Sequence, residues 1–211
     1  MYRIARTRIL ACIVLVFALL ASGCAEINVR SGYPLSAASG KGVLAAGITA
    51  DDMFPPNFYW HLRRVGRDET RDVTFHTLYN PLIWDHPRGR LVFIELEDGD
   101  YEFFDWGAPL GMEPAAYFRI PFSIRAGRVT YLGRIHLGRG AAAQTYIVTT
   151  SDHYADDRLL LAAKISNLTD TLVDQSPAVF QPCHDASCRK PQPVQATGTI
   201  TIPIIIVMHR H

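Results

Sequence analysis

The chain has 211 residues, 21 Lys and Arg against 20 Asp and Glu, a formal net charge of +1 and 48% hydrophobic residues. Basic and acidic residues are interleaved with no block of one sign, which leaves nucleic-acid binding by a basic stripe without support. No internal repeat is visible at periods of tens of residues.

The N-terminus carries Arg3, Arg6 and Arg8, then an uncharged run from Ile9 to Leu20, then Ala21, Ser22, Gly23 and Cys24. A basic head, a short apolar centre and a small-residue exit predict a secretory signal peptide over 1–23. The run is shorter than the roughly 20 residues a membrane-spanning helix needs. Small residues directly before a cysteine resemble the lipobox of bacterial lipoproteins, whose commonest form is Leu-Ala-Gly-Cys. Ala21 departs from it, with Leu20 one place earlier. The resemblance implies that Cys24 receives a diacylglycerol and becomes the first mature residue. By that family's usual rule Ala25, not aspartate, after the cysteine is compatible with sorting to the outer membrane, where the protein is expected to face the periplasm. The alternative is ordinary cleavage after Ala21 or Gly23, leaving Cys24 as a free thiol open to oxidation.

Four cysteines are present. Cys12 leaves with the signal and Cys24 is the acylation site. Cys183 and Cys188 remain, and an even pair in an oxidising compartment predicts a disulfide contributing about 2 kcal/mol by loop closure. Removing residues 1–23 from the 211 leaves 188, and the loss of three arginines takes the charge from +1 to near −2. That length fits one domain with a real core.

Residues 25–42, AEINVRSGYPLSAASGKG, are small and polar, and with Cys24 predict a lipidated N-terminus and flexible tether over 24–42. The β-sandwich domain is expected over 43–211. Val43–Ala50, Phe58–Val65 and Val73–Leu78 predict strands, as do Leu91–Leu96 and Tyr101–Trp106 around the turn pair Asp98-Gly99. Phe118, Ile120, Phe122 and Ile124 alternate with polar residues, and after Ala126-Gly127 so do Val129, Tyr131, Gly133, Ile135 and Leu137, which predicts a β-hairpin. Pro121 marks an edge or a bulge, and Gly133 a bulge or a close contact.

Residues 144–150 continue the strand pattern. Asp152 to Ser166 predicts the one helix, with Ser151 or Asp152 as N-cap and Asp156 and Asp157 in the early turns. Ile200, Ile202, Ile204 and Ile206 predict a last strand with an edge proline, Pro203. The expected fold is mainly β: a single antiparallel sandwich of eight or nine strands with one helix near 152–166.

Gly99-Asp100-Tyr101 opening a strand, Gly127 through Tyr131-Leu132-Gly133 and the acidic Asp156-Asp157 resemble a group of uncharacterised proteobacterial lipoproteins. The bodies of that group resemble the transthyretin-like, or carboxypeptidase-regulatory-like, β-sandwich. The resemblance spans residues 90–165 and implies a non-catalytic structural or binding role.

The eight histidines are scattered without ligand spacing, so no metal and no cofactor is expected. Ser151-Asp152-His153 holds the residue types of a hydrolase triad, but consecutive side chains diverge and no G-x-S-x-G elbow is present. Trp60, Trp84 and His86 stand where loops or strand ends build recognition surfaces, and they are the candidate binding contacts. The expected function is a lipid-anchored envelope protein with a binding or assembly role, tied to the membrane and open to an envelope protein partner. One rival is an envelope hydrolase built from Asp85, His86 and His153; another is an accessory subunit of an envelope complex.

Overall fold

The computed structural model describes residues 29–52, 57–67, 70–76, 84–85, 87–108, 112–114, 116–140, 146–183 and 201–202. Strands β1 (Lys41–Ala50), β2 (Asn57–Arg64), β3 (Thr70–His76), β4 (Trp84–Asp85) and β5 (Arg88–Glu97) come first. They are followed by β6 (Gly99–Gly107), β7 (Glu113–Pro114), β8 (Phe118–Ile124), β9 (Val129–Arg139) and β10 (Tyr146–Ser151). Helix α1 (Tyr154–Lys164) precedes the short β11 (Val173–Gln175), β12 (Gln181–Pro182) and β13 (Thr201–Ile202).

Among the described residues the main sheets run β10-β9-β1-β5-β4, with β11 beside β9, and β12-β8-β6-β2-β3; β13 pairs separately with β7. The two main sheets face each other across a core of Leu44, Ile48, Trp60, Phe103, Ile120 and Leu137, among others. This is the expected β-sandwich, but its pairing is mixed, because β1 runs parallel to β9. That central strand is buried along nearly its whole length, so it reads as an unbroken apolar run without alternation.

The two expected hairpins are arches. β5 and β6 flank Asp98, and β8 and β9 flank Ala126-Gly127, yet within each couple the strands belong to opposite sheets. A glycine turn between two alternating runs looks the same either way; the backbone partners differ, and those are long-range.

Gly133 sits in the bulge the sequence suggests. Its φ is +77, and β1 and β9 slip register between Ala45 and Gly47. The extra residue reverses the alternation expected for β9. Val129 and Tyr131 face outward under the helix, whereas Leu132, Ile135 and Leu137 point into the sandwich. Pro121 lies on β8, which has β6 on one side and, among the described residues, only the two residues of β12 on the other, at Phe118 and Arg119.

The outer face of the β1 sheet carries a second core of Val43, Leu91, Phe93, Tyr131, Leu161 and Ile165. The helix closes it, starting at Tyr154 with His153 as N-cap, while the Asp152 carboxylate accepts the Tyr154 N–H at 2.9 Å. Ser151 ends β10 and does not cap.

The tether expected over 24–42 does not extend past Val29. From there the chain is docked: Val29 donates to the Phe93 carbonyl at 3.0 Å, and Tyr33 and Ser166 pair with Lys164 and Tyr33 carbonyls. Asn167 bridges both backbone groups of Leu35, at 2.8 and 3.0 Å. Leu35 and Val29 are buried in the second core. Cys24 lies outside the described residues.

Candidate binding face

With α1 and the N-terminal segment on the β1 sheet, the outer face of the β6 sheet is the broad surface on which no described element packs. Its outward positions follow from alternation. Phe58, Trp60 and Leu62 point into the core, so Tyr59, His61 and Arg63 point out. Tyr59 lies opposite Gly107 on β6, where an added Cβ would come within 2.5 Å of the phenol ring. The glycine is what lets that ring lie against the sheet.

From Tyr59 the rings continue from β2 over β6 to Tyr117, the residue just before β8. Tyr59 meets His61 edge-on at 4.9 Å, His61 is tilted on Phe104 at 6.0 Å, and Phe104 meets Tyr117 edge-on at 5.5 Å. Phe104 reaches this face because the pairing of β2 and β6 shifts between His61 and Leu62. The Arg63 guanidinium stands over the Phe104 ring at 4.5 Å.

The same Arg63 contacts Glu102 at 2.7 Å, and Arg119 reaches the other carboxylate oxygen at 2.5 Å. The Glu102 side chain is 4% exposed against 40% and 46% for the two arginines. A buried carboxylate thus fixes two half-exposed guanidiniums, and among the described residues Glu102 is the one carboxylate each of them meets. Aromatic faces beside oriented donors suit a ligand with an apolar side and polar substituents.

The opposite face is occupied by contacts that dock the helix. Asp157, fully buried, accepts from Tyr131 Oη at 2.7 Å and Arg134 Nη2 at 2.6 Å. Burial and then the bond to Asp157 push the Tyr131 phenol well above its ordinary pKa. Arg134 stacks on Trp84 at 4.0 Å, in space left by Gly47, where a Cβ would stand 2.6 Å from Arg134 Cγ. Beside it, Thr49 Oγ1 lies 3.0 Å from His136 Nδ1, and His136 Nε2 lies 3.3 Å from Asp51 Oδ1. The order hydroxyl, imidazole, carboxylate matches a nucleophile relay, but Thr49 is only 2% exposed, out of reach of a solvent-borne substrate.

Trp60 is fully buried, edge-on to Phe103 and Phe118, and offers no surface to a partner; it lies within β2, not in a loop. Trp84 is half-buried and engaged by Arg134. His86 lies outside the described residues, so it joins no described site. Cys183 is disulfide-bonded, and Cys188, its expected partner, lies outside the described residues. Of the residues in the rival hydrolase reading, His153 pairs with Asp156 at 3.2 Å at the helix start. Among the described residues no three His, Cys, Asp or Glu side chains gather as a metal site. The sequence does mark Arg63, Glu102 and Arg119 as polar positions of apolar-facing strands; what it hides is the register that brings them together.

No protein-family model, curated protein or solved structure matches the chain.

Proposed function

We propose that this is a lipid-anchored cell-envelope protein, held at the outer membrane through Cys24 and facing the periplasm, whose β-sandwich is a non-catalytic binding or assembly module. The carrying observation is the ordered strip of rings and guanidiniums on the β6 sheet, from Tyr59 to Tyr117 with Arg63, Glu102 and Arg119. Energy has been spent on burying one carboxylate there, and the result is two fixed donors at a surface. The arrangement supplies recognition without a nucleophile. The anchor reading is supported by signal, cysteine and small-residue exit in series, and by the resemblance to proteobacterial lipoproteins.

Two measurements test it. A Cys24→Ser chain is expected to leave the detergent phase and the membrane fraction; retention there rules out the anchor. A photoreactive phenylalanine at position 59 is expected to crosslink an envelope component in intact cells, while the same group at position 159, on the exposed side of α1, does not. Equal yields from both positions would remove the binding face.

A further inference from the structure

The guanidiniums on the outer face of the β6 sheet carry more charge than their anchor. Arg63 and Arg119 share the single carboxylate of Glu102, so this triad has a net charge of +1. Asp105, opposite His61 on the same face, is 7% exposed, and its Oδ1 accepts the Trp106 N–H. An arginine has five N–H donors and no acceptor. Glu102 engages Nε and Nη2 of Arg63 and Nε of Arg119, which fixes both forks from the sheet side. One further carboxylate on the solvent side would bring the triad to neutrality and meet two forks already held in place. A phosphate monoester carries about −1.5 to −2 near neutral pH and would overshoot a single excess charge.

The rings set the shape of what carries that carboxylate. Phe104 is buried beneath the Arg63 guanidinium, while Tyr59 and Tyr117, both half-buried, stand at the two ends of the strip. From β2 over β6 to the start of β8 is two strand spacings, about 10 Å, longer than a single sugar ring. The strip crosses the interior of the sheet, where β6 lies between β2 and β8, so an incoming peptide finds no edge there for strand addition. Recognition falls to side chains alone. A pyranose ring has an apolar C–H face for the negative face of a phenol ring, hydroxyls at its rim, and in a sugar acid a carboxylate on the ring itself.

We infer that this strip binds an acidic oligosaccharide, one that carries carboxylates on its pyranose rings, with Tyr59 and Tyr117 under the rings and Arg63 and Arg119 on a carboxylate. The inference rests on the binding-face reading above and names its ligand class. The two fail separately: crosslinking from position 59 without sugar binding keeps the face and removes the class.

The test titrates the full chain in detergent with trigalacturonate, trimannuronate, fully methyl-esterified trigalacturonate and hexaglutamate, following heat and the arginine Nε–H resonances. At least one of the two sugar acids is expected to bind and to shift the Nε–H signals of Arg63 and Arg119; the ester and hexaglutamate are not. Arg119→Gln, which leaves Glu102 paired with Arg63, is expected to keep the parental Tm and bind the sugar acid at least about tenfold more weakly. Should it fail to fold, Arg119→Lys keeps the charge without the fork and is expected to bind at least about threefold more weakly. Tyr59→Ala is expected to weaken binding about fivefold or more. Binding of neither sugar acid overturns the inference, as does parental affinity in the folded variants. Equal binding of the ester overturns it because the carboxylate is then not read, and equal binding of hexaglutamate because the face then takes acidic peptides.

Discussion

The Asp98 carboxylate accepts the backbone N–H of Ala126 at 3.0 Å, tying the arch between β5 and β6 to the arch between β8 and β9. Both arches carry the chain from one sheet to the other, so this bond joins the two crossings at one end of the sandwich. Asp98→Ala is expected to lose about 1 kcal/mol, as for one charge-assisted bond at an exposed site. The shift in the urea midpoint at unchanged m-value measures it.

Asp157, on α1, is the acceptor for both Tyr131 and Arg134 of β9. Asp157→Ala leaves a half-buried guanidinium and a buried hydroxyl without their acceptor. The expected loss is about 3 kcal/mol, with faster amide exchange in α1 than in β1. A loss below about 1 kcal/mol would mean that the helix is held by its apolar contacts alone.

His136 gives the fold a pH dependence of known sign. Burial lowers its pKa below 6.5, and Asp51 opposes that shift without cancelling it. The unfolded chain therefore takes up its proton first as pH falls. The stabilisation is complete above about 6.5 and is lost progressively as pH drops toward the folded-state value. Between pH 7.5 and 5 the parent is expected to lose more Tm than His136→Asn. Parallel Tm curves would assign the pH dependence to other groups.

Gly133 combines a φ of +77 with backbone at its Cα: an added Cβ would strike the Ser151 carbonyl oxygen. Gly133→Ala is expected to cost about 2 kcal/mol or more, since strain and collision add. Gly66, also at positive φ but with open space around it, is the control, and its alanine variant is expected to cost about 1 kcal/mol.

Much of this fold is legible locally. Alternation finds β8, the acidic run and helix formers find α1, and proline and glycine mark the edge at Pro121 and the bulge at Gly133. What is not legible is long-range. The arches read as hairpins because turn residues report chain reversal and not hydrogen-bond partners. Trp60 reads as a strand-end contact because its sequence neighbours are Pro55, Pro56 and Asn57; only the pairing with Trp106 shows it buried. Residues 29–42 read as tether because Gly and Ser dominate, while the docking rests on a few groups, Val29, Tyr33, Leu35 and the amide of Asn167. The candidate face is hidden for the same reason: Arg63, Glu102 and Arg119 come from three strands.

The docking of Val29 onto Phe93 bears on geometry at the bilayer. If Cys24 carries the lipid, five residue steps separate the acyl chains from a point fixed on the folded body. Fully stretched, they reach about 17 Å. The body would then ride as a short-leashed buoy: the side bearing α1 and the N-terminal segment would be kept toward the headgroups, and the Tyr59–Tyr117 strip would look out into the compartment.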